Sequence, residues 1–104
     1  YQYLIQQVPL KKSTKYSLAG SIRRSKPSPK VSIAVVEFLR PKGLRVHRIG
    51  AKESAPAMEW KRFETAFITG EQFHKCAVYL YNTHSDAKAW YRDLELLQVK
   101  AEDD

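Results

Sequence analysis

The chain of 104 residues is 43% apolar and 12% aromatic, so one domain with a packed core is expected and intrinsic disorder is excluded. No run of about 18 apolar residues occurs, which excludes a membrane-spanning helix. The formal net charge of +7 favours acidic partners, namely an anionic polysaccharide, nucleic acid or an acidic protein surface. The same charge also helps to keep a domain soluble, so charge alone does not select a partner.

Apolar residues alternate with polar or small ones along most of the chain, a period of two that is typical of β-strands. Tyr16, Leu18 and Ile22, for example, fall on one face of a single segment. Stretches rich in Pro, Gly, Ser and Asn separate the segments, because these residues favour turns. The predicted strands, in chain order, are residues 3–8, 14–24, 31–40, 44–49, 59–69, 74–82 and 87–99.

Two of these segments depart from simple alternation. Residues 31–40 are apolar on nearly both faces, which predicts a strand covered on both sides or one with a bulge near Val35 and Val36. Residues 85–97 contain good helix formers, so a helix is the alternative to a strand there. Seven strands at fairly even spacing predict an all-β sandwich or barrel.

The sequence offers no set of residues suited to catalysis. Its histidines, His47, His74 and His84, lie on separate segments, and no known catalytic or metal-binding motif is present. Glu59 and Glu64 are not distinguished from any other pair of carboxylates as a glycosidase dyad. Cys76 is the only cysteine, and its apolar surroundings predict a buried, unreactive thiol. We therefore expect a binding or structural domain rather than an enzyme.

Three segments occur in an order that resembles a known family. They are residues 7–20 (QVPLKKSTKYSLAG), residues 59–67 (EWKRFETAF), and VYLYN at 78–82 followed by AWYRDLEL at 89–96. Together they are similar to the galactose-binding-like jelly-roll carbohydrate-binding modules that accompany glycoside hydrolase and polysaccharide lyase domains. The resemblance implies an antiparallel β-sandwich, or jelly roll, over residues 1–100, followed by an acidic tail at 101–104.

The sequence departs from this family in two respects. One or two further strands that usually precede this region are absent from the sequence, which implies either a truncated chain or strands supplied by another domain or chain. In addition, a pair of aspartates that helps to hold a structural calcium ion in the family corresponds here to Arg92 and Asp93. Only Asp93 matches, so the resemblance offers one weak metal ligand and argues against a complete calcium site; no other cofactor is expected.

Several residues are candidates for contact with a ligand. If Val78 and Leu80 face the core, alternation places Tyr79 and Tyr81 together on the opposite face, where their rings suit the C–H faces of a sugar.

Charged donors to an acidic glycan are predicted from nearby segments, and the two tryptophans are assigned separately. Arg40, Arg45 and His47 are the candidate donors, with a solvated basic strand as the alternative. Trp60 is predicted to lie in the core. Trp90 is predicted either to lie in the core or to contact the ligand.

The leading interpretation is a non-catalytic carbohydrate-binding module that targets an attached enzyme to a polysaccharide, with an acidic polysaccharide as one possibility. The alternative is a structural β-sandwich that packs on a neighbouring domain or chain without binding sugar. A third interpretation, binding of nucleic acid, rests on the basic residues that alternate with aromatic ones at Lys61-Arg62-Phe63 and Tyr91-Arg92. An extracellular or periplasmic location is implied by the resemblance alone, and no membrane partner is expected.

Overall fold

A computed structural model of the protein describes residues 2–26, 31–50, 58–82 and 88–100. Within these ranges it contains only β-strands as regular structure, so no helix there could cross a membrane. The strands are β1 (Gln2–Val8), β2 (Lys15–Arg24), β3 (Val31–Leu39), β4 (Leu44–Ile49), β5 (Lys61–Ile68), β6 (Phe73–Asn82) and β7 (Ala89–Gln98). All seven predicted strands are confirmed, and the alternative of a helix over 85–97 is wrong because β7 pairs along β2.

The strands form two antiparallel sheets that face each other. One sheet has four strands in the order β1-β6-β3-β4, and the other has three in the order β5-β2-β7. Every connection between consecutive strands crosses from one sheet to the other, except the tight turn between β3 and β4. This crossing pattern is that of a jelly-roll β-sandwich, so the predicted fold class is confirmed.

The core lies between the sheets and is built from alternate residues of both. β2 contributes Tyr16, Leu18 and Ile22, and Phe63 and Phe67 come from β5 beside it. The facing sheet contributes Val31, Ile33, Val35, Ile49 and Val78. Because β-branched and aromatic side chains pack well on a pleated surface, the same residues that favour strands locally also fill the core.

β3 is buried on both of its faces, as the sequence predicted. Residues 31–37 are all buried, and Ala34 on the outer face is as inaccessible as Ile33 and Val35 on the inner one. The bulge expected near Val35 and Val36 is not there, since pairing with β4 and β6 continues regularly through both residues. The register shifts instead at the end of β3, after Phe38.

Neither tryptophan belongs to the core. Trp60 is only partly buried and its indole ring is covered by the guanidinium of Arg92, with 4.1 Å to the ring centroid. The prediction that Trp60 is a core residue is therefore wrong. Phe63 and Phe67 supply the aromatic packing from β5, and alternation along that segment turns even-numbered residues outward.

The first stability prediction compares a core leucine with an exposed one. Leu18 is 1% exposed and Leu97 is 58% exposed, and both lie on strands of the three-stranded sheet. Leu18→Ala should lower the free energy of unfolding by about 2–5 kcal/mol, because it removes buried methyl groups and leaves a cavity. Leu97→Ala should change it by less than about 0.5 kcal/mol. Urea denaturation of both variants is the measurement, and equal losses would contradict this assignment of the core.

The second prediction concerns the thiol of Cys76, which is buried beside Glu37. Burial, and to a lesser extent the carboxylate of Glu37, raises the pKa of Cys76 to about 11. The native protein should therefore react with a thiol reagent at neutral pH far more slowly than the urea-unfolded chain.

Because the folded-state pKa of Cys76 lies above the value in an unfolded chain, the folded state holds its proton more tightly. Its contribution to stability is complete below about pH 9 and is lost as the pH rises towards 11. Cys76→Ala should make the fall in unfolding free energy across that interval shallower, and an unchanged slope would contradict the assignment.

Candidate functional site

The outer surface of the four-stranded sheet carries a strip of three aromatic rings. Alternation along β3 and β6 turns Phe38, Tyr79 and Tyr81 away from the core. The ring centroids of Phe38 and Tyr79 are 6.4 Å apart, and those of Tyr79 and Tyr81 are 6.0 Å apart. We call this strip the tyrosine face. The structure thus confirms that Tyr79 and Tyr81 lie side by side on the face opposite Val78.

Small side chains form the floor beside these rings. Ser32, Ala34, Val36 and Ala77 also point outward, yet each is almost completely buried. Their burial means that they lie beneath larger side chains of the same sheet, so they support the rings without offering a surface to a ligand. The rings stand on the two central strands β3 and β6 and are tilted to one another by 40–53°, so a ligand would meet the rings rather than the floor.

A cationic group lies at each end of the aromatic strip. The guanidinium of Arg48 is 4.6 Å from the ring centroid of Tyr81, and the ammonium of Lys75 is 4.7 Å from that of Phe38. Both side chains are exposed, and within the described ranges neither forms an ion pair with a carboxylate. The face therefore combines stacking surfaces with cationic donors that remain available to an anionic group.

Two of the predicted charged donors lie on the other side of the same sheet. Arg45 and His47 of β4 point towards the interior, where they surround the carboxylate of Glu37. His47 Nε2 lies 2.5 Å from Glu37 Oε2 and Arg45 Nε lies 3.9 Å from it, while the His47 ring stacks on Phe67 with 4.2 Å between centroids. The structure does not bring Arg45 and His47 together with Tyr79 and Tyr81.

Glu37 anchors this interior cluster. Its side chain is completely buried, and its second oxygen accepts a hydrogen bond of 2.8 Å from the backbone N–H of Gly70. A buried carboxylate needs such partners because removal from water disfavours its charge. Arg45 and His47 are thus committed to the fold, which explains why they do not serve the tyrosine face.

The remaining predicted residues are separated from the two tyrosines. Arg40 is exposed in the turn after β3, at the end of the sheet where Phe38 lies. Trp90 is exposed on the outer surface of the three-stranded sheet, with the guanidinium of Arg23 5.2 Å from its ring centroid. The predicted ligand set is therefore divided among the tyrosine face, the sheet interior, a turn and the opposite side of the sandwich.

The surroundings of Asp93 do not suit calcium. Asp93 lies at an irregularity of β7 with a positive φ of 56°, and its carboxylate is 3.5 Å from the guanidinium of Arg92. Among the described residues, no group of three or more His, Cys, Asp or Glu side chains is arranged to hold a metal ion. A hard cation needs several oxygen ligands, and the side chains beside Asp93 supply a positive charge instead.

The motif on which nucleic-acid binding rested is divided by the strand alternation. Phe63 and Tyr91 face the interior, while the neighbouring Arg62 and Arg92 point outward. The two arginines are thus separated from the aromatic residues adjacent to them in sequence. Lys61 stays with Phe63, because alternation turns both to the same side and its ammonium lies 5.5 Å from the ring centroid of Phe63.

Sequence reasoning missed Phe38, Arg48 and Lys75, which complete the tyrosine face. Alternation within each strand already indicated two of them. Phe38 follows the outward-facing Val36 by two positions on β3, and Lys75 precedes Tyr79 by four on β6. What the sequence lacked was the pairing of β3 with β6 and β4, which sets these three side chains beside the tyrosines.

Comparison with known proteins identifies the fold. A solved structure described as "Family 16 Carbohydrate Binding Module-2" superposes on this chain with a TM-score of 0.70 at 19% sequence identity. The match covers 93% of this chain and 70% of that chain. No protein-family model matches the sequence, and no curated protein matches it. The chain therefore has the jelly-roll β-sandwich fold of a carbohydrate-binding module, and the resemblance recognised in the sequence is confirmed at the level of fold.

The third prediction tests the interior role of Glu37. Glu37→Ala should lower the free energy of unfolding by about 3 kcal/mol or more, because it leaves the Gly70 N–H and the Arg45 and His47 side chains without their buried acceptor. Glu37→Gln keeps one acceptor oxygen and should cost less. Thermal or urea unfolding of the two variants is the measurement, and a neutral Glu37→Ala would show that the cluster contributes nothing to stability.

Proposed function

We propose that this chain is a non-catalytic module that binds a polysaccharide on the tyrosine face. The observation that carries the proposal is the row of three partly exposed rings, about 6 Å apart, on the outer surface of the four-stranded sheet. Aromatic rings stack on the apolar C–H faces of sugar rings, and the hydroxyls of Tyr79 and Tyr81 add hydrogen bonds to sugar hydroxyls. The shared fold with a carbohydrate-binding module supports this reading.

The ligand that best suits this face is an acidic polysaccharide. Arg48 and Lys75 flank the rings, and the whole chain has a net charge of +7. Guanidinium groups bind carboxylate or sulfate in a bidentate manner, and ammonium groups bind them as point charges.

The module would act by holding an attached enzyme on its substrate outside the cell or in the periplasm. An affinity on the order of micromolar to millimolar suffices for this task, because attachment makes the second contact intramolecular. We assign the chemistry to a neighbouring domain, in keeping with the fold that the chain shares with a carbohydrate-binding module.

A second candidate role, packing against a neighbouring domain or chain, is favoured by a separate apolar opening. A cavity of about 160 Å³ lies between the free edges of β1 and β7; six of its lining residues are apolar, Ile5, Val8, Leu18, Val78, Leu94 and Leu96, and two are polar, Gln6 and Glu95. Open strand edges with apolar side chains are sites at which another strand or domain can add. This role involves an edge of the sandwich and is compatible with glycan binding on its face.

The fourth prediction tests the tyrosine face directly. The double variant Tyr79→Ala/Tyr81→Ala should lose retention on an acidic polysaccharide in affinity gel electrophoresis, with an affinity at least about tenfold weaker, because both stacking surfaces are removed. The matched control is Tyr79→Phe/Tyr81→Phe, which keeps the rings and should retain most of the binding. Unchanged retention of a folded alanine variant would refute the assignment of this face.

Charge can be separated from stacking with the variant Arg48→Gln/Lys75→Gln. This variant should bind an acidic polysaccharide more weakly and with less dependence on salt, while its binding of a neutral polysaccharide should be unchanged. An equal loss of affinity for the acidic and the neutral polysaccharide would show that these side chains hold the rings in place and do not recognise acidic groups.

A further inference from the structure

We propose that the outer surface of the three-stranded sheet is a second glycan-binding site, which stacks sugar rings on Trp60 and Trp90. Its members are the two tryptophans with Arg23, Arg62, Arg92 and Glu95, and we call it the tryptophan face. Since the two sheets pack back to back, this face points away from the tyrosine face. The consequence is a domain that can hold two polysaccharide chains at once.

Both indoles lie at one end of this surface. Arg23 and Trp90 are directly opposite each other on β2 and β7. The guanidinium carbon of Arg23 lies 5.2 Å from the centroid of the Trp90 ring. Trp60 precedes β5 on the other side of β2, yet its ring reaches Arg92 of β7 at 4.1 Å. One indole–guanidinium pair therefore joins β2 to β7 and the other passes over β2, so the two pairs form one continuous patch.

The floor beneath this patch is again made of small residues. Ala19 and Ser21 point outward from β2, and both are buried although neither has a long side chain. Trp90 is 39% exposed, more than any of Phe38, Trp60, Tyr79 and Tyr81, which are only partly exposed. A large, accessible indole above a small-residue floor is a stacking surface that the core does not use.

Two of the three arginines on this face have carboxylate partners, which distinguishes it from the tyrosine face. Arg62 donates a hydrogen bond of 2.8 Å to Glu95, and Arg92 lies 3.5 Å from the Asp93 carboxylate. Arg23 is left as the one arginine of this face without a carboxylate partner among the described residues, so the face attracts a polyanion less than the tyrosine face with its two unpaired cations. Recognition here depends on stacking and hydrogen bonding, and we expect it to accept uncharged sugar units and to tolerate salt.

A polysaccharide is favoured over nucleic acid by these carboxylate partners. A nucleic-acid strand presents one phosphate per nucleotide, and its affinity arises largely from uncompensated Lys and Arg residues. On this face the carboxylates of Asp93 and Glu95 lie among the arginines and would repel phosphate groups. Indole rings beside guanidinium groups that mostly have carboxylate partners suit a sugar ring with hydroxyl substituents better.

The test compares four folded proteins, namely the wild type, Tyr79→Ala/Tyr81→Ala, Trp60→Ala/Trp90→Ala and the combination of all four substitutions. Each is run in affinity gels containing hydroxyethyl cellulose, galactomannan, polygalacturonate or alginate, at about 0.15 M and about 1 M NaCl. We expect the tryptophan variant to lose about tenfold in affinity for at least one polymer at the higher salt concentration, where the tyrosine variant is still retained. The combined variant should not be retained.

Conservative variants and a bridging assay complete the design. Trp60→Phe/Trp90→Phe should keep most of the binding, which guards against an alanine variant that is merely destabilised. Wild-type protein should also cross-link the retaining polymer, seen as an increase in scattering at intermediate protein-to-polymer ratios. Each alanine double variant should abolish this increase, because a domain with one site cannot bridge two chains.

The outcomes separate this proposal from the proposed function. If the tyrosine variant loses all retention, the second site is refuted and the tyrosine face stands. If the tryptophan variant binds like the wild type, the second site is refuted, and retention of the tyrosine variant alone decides whether the tyrosine face stands. If only the tryptophan variant loses retention, the tyrosine face is refuted and the tryptophan face is the glycan site. Displacement of the polymer from the tyrosine variant by single-stranded oligonucleotide would assign the tryptophan face to nucleic acid and refute the proposal.

Discussion

The burial of β3 on both faces is the constraint on which the rest of the structure depends. Its inner face supplies Ile33 and Val35 to the core, and its outer face supplies Ala34 and Val36 to the floor of the tyrosine face. A central strand that is covered on both sides cannot slip by one residue without exchanging its two sets of side chains. The register that closes the core therefore also fixes where the aromatic rings of the neighbouring β6 stand, and the binding surface follows directly from the packing.

The buried carboxylate of Glu37 extends this constraint to the edge of the sheet. In β4, the sequence Leu44-Arg45-Val46-His47 would place the aliphatic residues inside if hydrophobicity alone decided. Instead Arg45 and His47 point inward, because Glu37 on β3 requires donors, while Leu44 and Val46 remain exposed. The reversed strand turns Arg48 outward beside Tyr81. A polar contact inside the sandwich thus determines which cation reaches the proposed ligand.

This reversal shows why the sequence predicted one part of the site and not the other. The strands and the shared face of Tyr79 and Tyr81 follow from alternation within a single segment, which is a local property. The side of the sheet on which Arg45 and His47 lie depends on a partner in another strand, and no periodicity within residues 44–49 contains that information. Trp60 is different, because both the alternation and the family resemblance were interpreted as placing it in the core, whereas Phe63 and Phe67 set the inward positions of β5.

The two outer faces share one construction and differ in their electrostatics. Each has aromatic rings beside cations above a floor of small residues on a central strand, but only the tyrosine face lacks carboxylate partners among the described residues. Salt weakens the attraction of free surface charges and leaves stacking largely intact. A polysaccharide with acidic and neutral stretches would therefore engage the two faces differently, and ionic strength would change which face holds it. In this sandwich, the different ligand preferences of the two faces follow from the positions of the carboxylates.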